Sequence, residues 1–401
     1  MKDNGSIWSW MANTKLGIGG GLMALVIGTI LLIINERDLK LTADSIVEAE
    51  SVVVEMNDAN VLDDGLNGKL AYGVSKTRTD EILTDEIFDV AVNAIKLVRY
   101  VKYYQLIETE HKKTKKDSDG DEITTYSYTY KQGWASRPVN SSGFNENRYR
   151  STNWVAVELD SLIRYADNVG WGAYELPLFI THQIDGNFVP VTHELSEERK
   201  ARWEQRIEQA YAEHTEAALV ETKREFVHYL NNTVIHFGIN PSQPAIGDVR
   251  VYVNYIPPGG DLSVIAQVNG NTFTKYLAEN GKEFYSVQNG VVGMKHMFID
   301  ASETNRVNAI AMRIMITLAI ILGIRFSLRP LETLLSKVPL LGGILNGGVI
   351  FVSIMFGIAW SLIIIAVAWL FYRPLAALIL FAIVVTIIFI LKKTRTKESN
   401  I

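Results

Sequence analysis

Four apolar stretches decide most of what this chain can become. Residues 16–34 run without a charge, long enough to cross a hydrocarbon core of about 30 Å as a helix. A secretory signal would be shorter and would end in small residues, whereas this run leads into Asn35-Glu36-Arg37. The expectation is an uncleaved first span. A second span, 307–327, is interrupted by Arg313. A third, 347–371, lies in an uncharged stretch divided by Gly342-Gly343 and Gly347-Gly348. A fourth, 375–391, begins after only Tyr372, Arg373 and Pro374, so spans three and four are expected to form a tight hairpin. Hydropathy therefore predicts an α-helical multi-pass membrane protein with four spans, and the lipid bilayer is its first partner.

Charge separates the rest from this framework. Residues 36–305 hold 27 Lys/Arg and 41 Asp/Glu, a net of −14, while the remainder carries +9. A domain this acidic lacks the basic footprint that nucleic acid requires. Cysteine is absent, which removes disulfides, thiolate metal sites and cysteine nucleophiles. Lys392, Lys393, Arg395 and Lys397 follow span four, and Arg325, Arg329 and Lys337 follow span two, against Arg373 alone in the hairpin turn. The positive-inside rule then predicts a cytoplasmic N-terminus (1–15) and a cytoplasmic tail (392–401). It places 35–306 on the other side, as an extracytoplasmic or luminal domain. In the connecting segment 328–346, Leu331, Leu334, Leu335 and Val338 recur at helical spacing between Pro330 and Pro339. That pattern reads as a short interfacial helix on the cytoplasmic surface or as an ordinary buried turn of helix.

Within the large domain the patterns are mixed, and the expected class is α+β. Residues 38–51 read as a helix leading to a strand at 52–56, with further strands at 68–76 and 96–109. A charged hairpin follows, from Lys112-Lys113-Thr114-Lys115-Lys116 through Asp117-Ser118-Asp119-Gly120-Asp121. Its return arm, 122–131, places Tyr126, Tyr128 and Tyr130 on one face. Residues 153–169 read as a helix or a long edge segment. Residues 195–230, rich in Glu, Arg, Ala and Gln without Gly or Pro, read as one long helix capped by Ser196 with Glu198 in its first turn. Strands at 247–256 and 262–268 flank the turn Pro257-Pro258-Gly259-Gly260, and 271–289 suggests a helix and a strand.

Tests for chemistry return little. The run from Asp117 to Asp121 starts like a calcium loop, but its glycine comes fourth and Tyr128 stands where the closing Glu belongs. His193-Glu194 lacks a second His at zinc-protease spacing, and His214 and His228 on one straight helix would lie about 21 Å apart. Asp63-Asp64, as neighbours, make a poor shared acid/base pair and suit a turn. No phosphate loop, dinucleotide fingerprint or nucleophile elbow occurs. The reading is non-enzymatic, with no cofactor, catalytic residue or metal ligand. Inside the spans, Gly17 and Gly21, and likewise Gly343 and Gly347, have the spacing that lets helices approach closely. Arg313, about two turns into span two, is expected to extend its side chain to the headgroups.

Five local motifs in one order give the chain a resemblance. They are Asn35-Glu36, Tyr104-Gln105 with Glu108-Thr109-Glu110, Tyr126-Ser127-Tyr128, Gly247-Asp248-Val249-Arg250-Val251, and Trp369-Leu370-Phe371-Tyr372-Arg373-Pro374-Leu375. With the spans, they resemble the transmembrane protein 43 family, also called LUMA, over nearly the whole chain. The resemblance implies four spans and a luminal domain. It also implies self-association and, in eukaryotic members of the endoplasmic reticulum and inner nuclear membrane, assembly with lamins and emerin. A channel role has been proposed for the family as well, and the family supplies no catalytic residue to carry over. Missing cysteines and short tails fit a bacterial member better, for which the location would be a bacterial inner membrane without lamin partners. Two functions follow as expectations. One is a scaffold that forms homo-oligomers and recruits other membrane or extracytoplasmic proteins through its acidic domain. The other is an ion channel or channel subunit, motivated by irregular backbone at the glycine-broken segment 342–348.

Overall fold

The computed structural model describes residues 7–116, 122–214, 225–335, 342–372 and 374. Three of its helices are long and apolar enough to cross a membrane: α1 (Ile7–Val52), α4 (Met294–Leu335) and α5 (Gly342–Tyr372). Between α1 and α4 lie two short helices, α2 (Leu178–Thr181) and α3 (Glu197–His214), and a large β-rich domain. Its strands are β1 (Val54–Glu55), β2 (Leu70–Arg78), β3 (Ile82–Asp85), β4 (Val90–Asn93), β5 (Lys96–Lys116) and β6 (Glu122–Ala135). They continue with β7 (Leu162–Tyr165), β8 (Val169–Trp171), β9 (Tyr174–Leu176), β10 (Val189–Pro190), β11 (Val227–Leu230) and β12 (Val234–Phe237). The last six are β13 (Val249–Ile256), β14 (Asp261–Asn269), β15 (Thr272–Thr274), β16 (Tyr276–Leu277), β17 (Glu283–Phe284) and β18 (Ser286–Asn289). The chain is thus a membrane protein with a β-rich domain.

Two sheets organise that domain. The first has the order β15-β14-β2-β8-β9, with β1 added to β2 and β18 to β14. Its central strands β2 and β14 are buried on both faces, as strands become when each face is covered. Leu70, Tyr72 and Ile265 face Ile46 and Ala49 of α1 and Met297 and Phe298 of α4. Ala71, Leu262, Val264 and Ala266 face the opposite core with Trp171 and Tyr174. The second sheet has the order β11-β12-β13-β5-β6, with β7 on β5 and β10 on β13. Here β13 alternates: Val249, Val251 and Val253 are buried under α3, which contributes Trp203, Ile207 and Tyr211 at four-residue spacing.

Several sequence expectations change at this level. Strands β13 and β14 do not pair with each other; the turn at Pro257-Pro258-Gly259-Gly260 carries the chain from the second sheet to the first. Gly259 makes that possible with a φ of 93°, and its N–H donates to the Thr77 carbonyl. Of the helix expected over 195–230, α3 supplies 197–214, residues 215–224 lie outside the described residues, and Val227–Leu230 is a strand paired with β12. His228 therefore sits on a strand and not on a helix shared with His214. Ser196 does not cap α3 with its side chain; its N–H and hydroxyl both donate to Asp89, which also pairs with Arg199 at 2.8 Å. Residues 153–169 hold no helix, only extended chain and β7, and 271–289 forms β15 to β18 without a helix. Asp63 is a turn residue, accepting from the Gly65 N–H.

At the membrane helices, α4 runs unbroken through Pro330 to Leu335, so no separate interfacial helix begins there. Gly342-Gly343 and Gly347-Gly348 lie within α5, so the glycine-broken loop that motivated a pore is helical backbone. Span four (375–391), the tail and the hairpin tip 117–121 lie outside the described residues.

Three ionisable groups sit deep in the core beneath the second sheet. Arg99 donates to both oxygens of Asp85 at 2.6 and 2.7 Å, with both side chains nearly fully buried. Its Nε donates to the Asp160 carbonyl, and its guanidinium lies 5.4 Å from the Phe88 ring centre. His193 is 5% exposed, and neither ring nitrogen has a partner. Burial drives its pKa down to about 4, although nearby Asp85 acts the other way. An unfolded His193 regains an ordinary value, so between pH 6.5 and 4 the unfolded chain binds a proton that the folded chain refuses. Domain stability should hold above pH 6.5 and fall by up to about 3 kcal/mol as pH drops toward 4. Denaturant unfolding across that range should show the slope, and His193→Phe should flatten it; an unchanged slope would exclude His193 as its source.

Candidate functional site

Helices α1 and α4 are antiparallel and touch along their whole shared length. At Gly21 an added Cβ would collide with the Gly323 carbonyl and Ser327, at Gly28 with Ile320, and at Gly323 with Ala24 and the Gly21 carbonyl. Glycines here let two backbones approach closely, a device of packed membrane helices. Of the four glycines singled out by spacing, Gly21 lies where α1 meets α4. Gly17 lies on α1, and Gly343 and Gly347 on α5, where only the backbone is described. Gly28, Gly323 and Gly357, which meets Ile321, were not singled out.

Polar groups then fix the three helices together. The Trp360 indole donates to Thr29 Oγ1 at 2.9 Å, and Thr29 in turn donates to the Leu25 carbonyl. Seven residues further along α1, Glu36 is 1% exposed. Arg313 grips it with both Nε (2.5 Å) and an Nη (2.6 Å), and Trp369 Nε1 donates to it at 2.8 Å. One carboxylate thus joins α1, α4 and α5. Arg313 does not reach for headgroups as expected; a buried carboxylate opposite it is the better partner, because the bidentate fork satisfies both ions. Beyond this point Asn35 donates to the Ala309 carbonyl and Asn305 to the Leu39 carbonyl. Glu48 accepts from the Tyr276 hydroxyl and the Glu279 N–H, and Asn280 donates to the Leu41 carbonyl. The Glu48 contact pushes the Tyr276 hydroxyl up to about 12.

A second polar assembly lies far along the chain, at the end of β13. Asp248 is 1% exposed and accepts from the Tyr211 hydroxyl and the Ala245 N–H. Burial first, then Asp248, raises the Tyr211 pKa. His236 Nε2 stands 3.3 Å from Asp248 Oδ2, and its Nδ1 accepts from Arg250 Nε at 3.4 Å. Nε2 is buried and has no hydrogen-bond partner, so the Asp248 approach is a close contact and not a hydrogen bond. Arg250 also donates to the Pro241 carbonyl and lies 4.3 Å over the Trp134 ring. Gly238 and Gly247 have φ of 155° and 106°, and a side chain on them would strike Asp248 and Trp154 respectively. Tyr104 exchanges backbone bonds with Asp248 and Gly247, and its ring meets Trp134 edge-on. Gln105, 1% exposed, donates to the Trp154 carbonyl and accepts from the Val139 N–H.

These are the residues of the sequence motifs. The family model described as Transmembrane protein 43 matches residues 103–374. The chain belongs to the Transmembrane protein 43 family. Human Transmembrane protein 43 is 26% identical over 92% of this chain and 88% of its own length. The mouse protein is 27% identical over the same shares. The fruit-fly Transmembrane protein 43 homolog is 25% identical over 77% of this chain and 76% of its own. No solved structure matches the chain.

In this family member, Tyr104, Gln105, Gly247, Asp248 and Arg250 converge on one spot, where they bind the 136–159 segment and α3 to the end of the second sheet. Tyr372 closes α5, Pro374 is exposed, and Arg373 lies outside the described residues. Among the described residues no group of three or more His, Cys, Asp or Glu is placed to hold a metal. The Glu36–Arg313–Trp369 junction was missed from sequence. The signal was there, since the first acid after span one and the first charge of span two both sit near the domain end of antiparallel helices.

Removing one ion of a buried pair typically costs about 3–5 kcal/mol, whereas replacing both with apolar groups can be neutral. Glu36→Leu or Arg313→Leu should each lower the thermal midpoint of nanodisc-held protein sharply, and the double substitution should recover most of the loss. Equal destabilisation by the double variant would show that the pair is not the stabilising element.

Proposed function

We propose that this family member is a non-enzymatic membrane scaffold that self-associates and recruits other proteins through its large domain. In this reading the chain has four spans, with 375–391 as the fourth, both termini are cytoplasmic, and the domain stands outside the cytoplasm. The observation that carries it is the junction at Glu36. Helices α1 and α4 continue from the membrane into the domain without a break, and the junction ties both of them to α5 at the border. Residues of α1 beyond Ile34 extend about 27 Å further, and their ends pack into the core under the first sheet. A domain so mounted is held in a fixed pose over the bilayer, which suits presentation of a binding surface. A conduit would instead need polar groups turned to water, and Thr29, Asn35, Glu36, Arg313 and Trp360 bond to one another or to backbone.

Oligomeric state tests the reading directly. Native mass spectrometry of nanodisc-held protein should give a defined oligomer of this chain, and chemical crosslinking in the host membrane should retain protein partners through residues 36–305. A strict monomer without crosslinked partners would overturn it. Steady ion currents from reconstituted protein, above empty bilayers, would favour the channel reading instead.

A further inference from the structure

The second sheet has two faces, and its hydrophobic core lies on one; on the other His236 is buried, Tyr100 and Ile163 are exposed and the rest are half-buried. Its inner face carries Val101, Tyr103, Ile235, Phe237, Val249, Val251 and Val253 against α3. The opposite face is set by register: His236 beside Arg250 beside Lys102, then Val234 beside Tyr252 beside Tyr100, then Asn254 beside Val98 beside Ile163. None of these nine side chains belongs to a hydrophobic core cluster. Tyr100 and Tyr252 stack with centroids 4.9 Å apart and planes 5° from parallel, and Asn254 donates to the Tyr100 hydroxyl. Lys102 Nζ hangs 5.5 Å from the Tyr252 ring centre, and Arg250 covers Trp134. Ile163 and Tyr100 are exposed.

The charge on this face runs against its surroundings. In a segment of net −14, the nine positions contain two full cations and no Asp or Glu. Among the described residues neither Lys102 nor Arg250 forms a salt bridge. Two carboxylates near the sheet are otherwise engaged: Asp248 is buried and accepts from Tyr211, and Asp185 pairs with Lys96 at 3.0 Å. Long polyanions are disfavoured, because two cations in an acidic domain cannot offset many phosphates. A short segment with a few carboxylates and flat side chains suits it: its acids meet Lys102 and Arg250, and its rings or prolines lie on the tyrosine pair.

We propose that this face is the recruiting surface of the domain and takes an acidic, aromatic polypeptide segment of a partner protein. The inference rests on the scaffold reading above and names the site through which it would act. The test uses full-length protein in nanodiscs and a short fluorescein-labelled peptide of alternating Glu and Tyr, with a Lys/Tyr peptide as control. Fluorescence anisotropy should show saturable binding of the Glu peptide only, weakened by added salt. Lys102→Glu and Tyr252→Ala, each melting like the parent protein, should weaken it about tenfold or more. Should either variant fold poorly, the parent protein still decides: carbodiimide coupling of the peptide carboxylates should modify Lys102, located by peptide mapping. Equal binding of both peptides, undiminished binding by well-folded variants, or coupling only elsewhere would overturn the assignment. If the peptide couples at Lys102 but the chain shows no partner in its membrane, recruitment fails and the surface stands. If partners crosslink to the domain and none maps to this face, the surface fails and recruitment stands.

Discussion

A carboxylate withdrawn from water at a membrane border is tolerable only beside a cation, and the placement of Glu36 against Arg313 sets the geometry of everything on either side. The pair aligns α1 and α4 at one level, and Trp369 brings α5 to the same point. Below it, register is maintained by close approach at Gly21, Gly28 and Gly323. Above it, each successive contact, Asn35 with Ala309 and then Leu39 with Asn305, follows the same antiparallel alignment. A slip of one residue would rotate a side chain by about 100° and take Arg313 away from its acid. Shape at the membrane thus constrains the angle at which the helices enter the domain, where Ile46, Ala49, Met297 and Phe298 close under Leu70, Tyr72 and Ile265.

The domain answers a different constraint. Two sheets must share one chain, and the change of sheet occurs at Pro257-Pro258-Gly259-Gly260, where Ile256 ends β13 already inside the core of the first sheet. At the far end of β13 the packing is polar. Asp248 and Tyr211 bond to each other, with His236 and Arg250 alongside, only because Gly238 and Gly247 leave room, so the Gly-Asp pair at 247–248 is a steric requirement as much as an electrostatic one. Motif residues of the family therefore mark a folding joint. A likeness built on them speaks to architecture first.

Local features of this architecture were legible in the sequence, and non-local ones were not. Alternation placed β2, β5, β13 and β14, and uncharged length placed the three described spans. Residues 195–230 misled because Glu, Gln and Ala set a strong helical signal that the short run Val227-His228-Tyr229-Leu230 could not outweigh; pairing with β12 decided it. The same holds at 271–289, where strands of two to four residues are too short to show a period. Ser196 satisfied the rule for a helix cap, yet Asp89, more than a hundred positions earlier, occupies the helix start. Glu36 and Arg313, separated by 277 residues, looked like a border residue and a snorkelling arginine until the helices were laid together.

The proposal of a scaffold over a pore turns on where polar atoms are used. Glycines in a membrane segment can signal open backbone around water or two helices in contact, and spacing alone does not separate these. Contact accounts for Gly21, Gly28, Gly323 and Gly357, since each would clash with a neighbouring helix if it bore a side chain. Glu36, Arg313, Trp360 and Trp369 bond between helices, and the bundle's described outer surface is apolar, with Leu22, Met23, Val26, Leu318, Phe351 and Leu362 facing outward. Such a surface meets lipid or another apolar helix. The unspent polar capacity lies instead on the domain, on a sheet face whose cations have no acids of their own. Lys102 and Arg250 form no salt bridge among the described residues, in contrast to Arg99, Arg199 and Arg313, and the scaffold reading places its binding surface there.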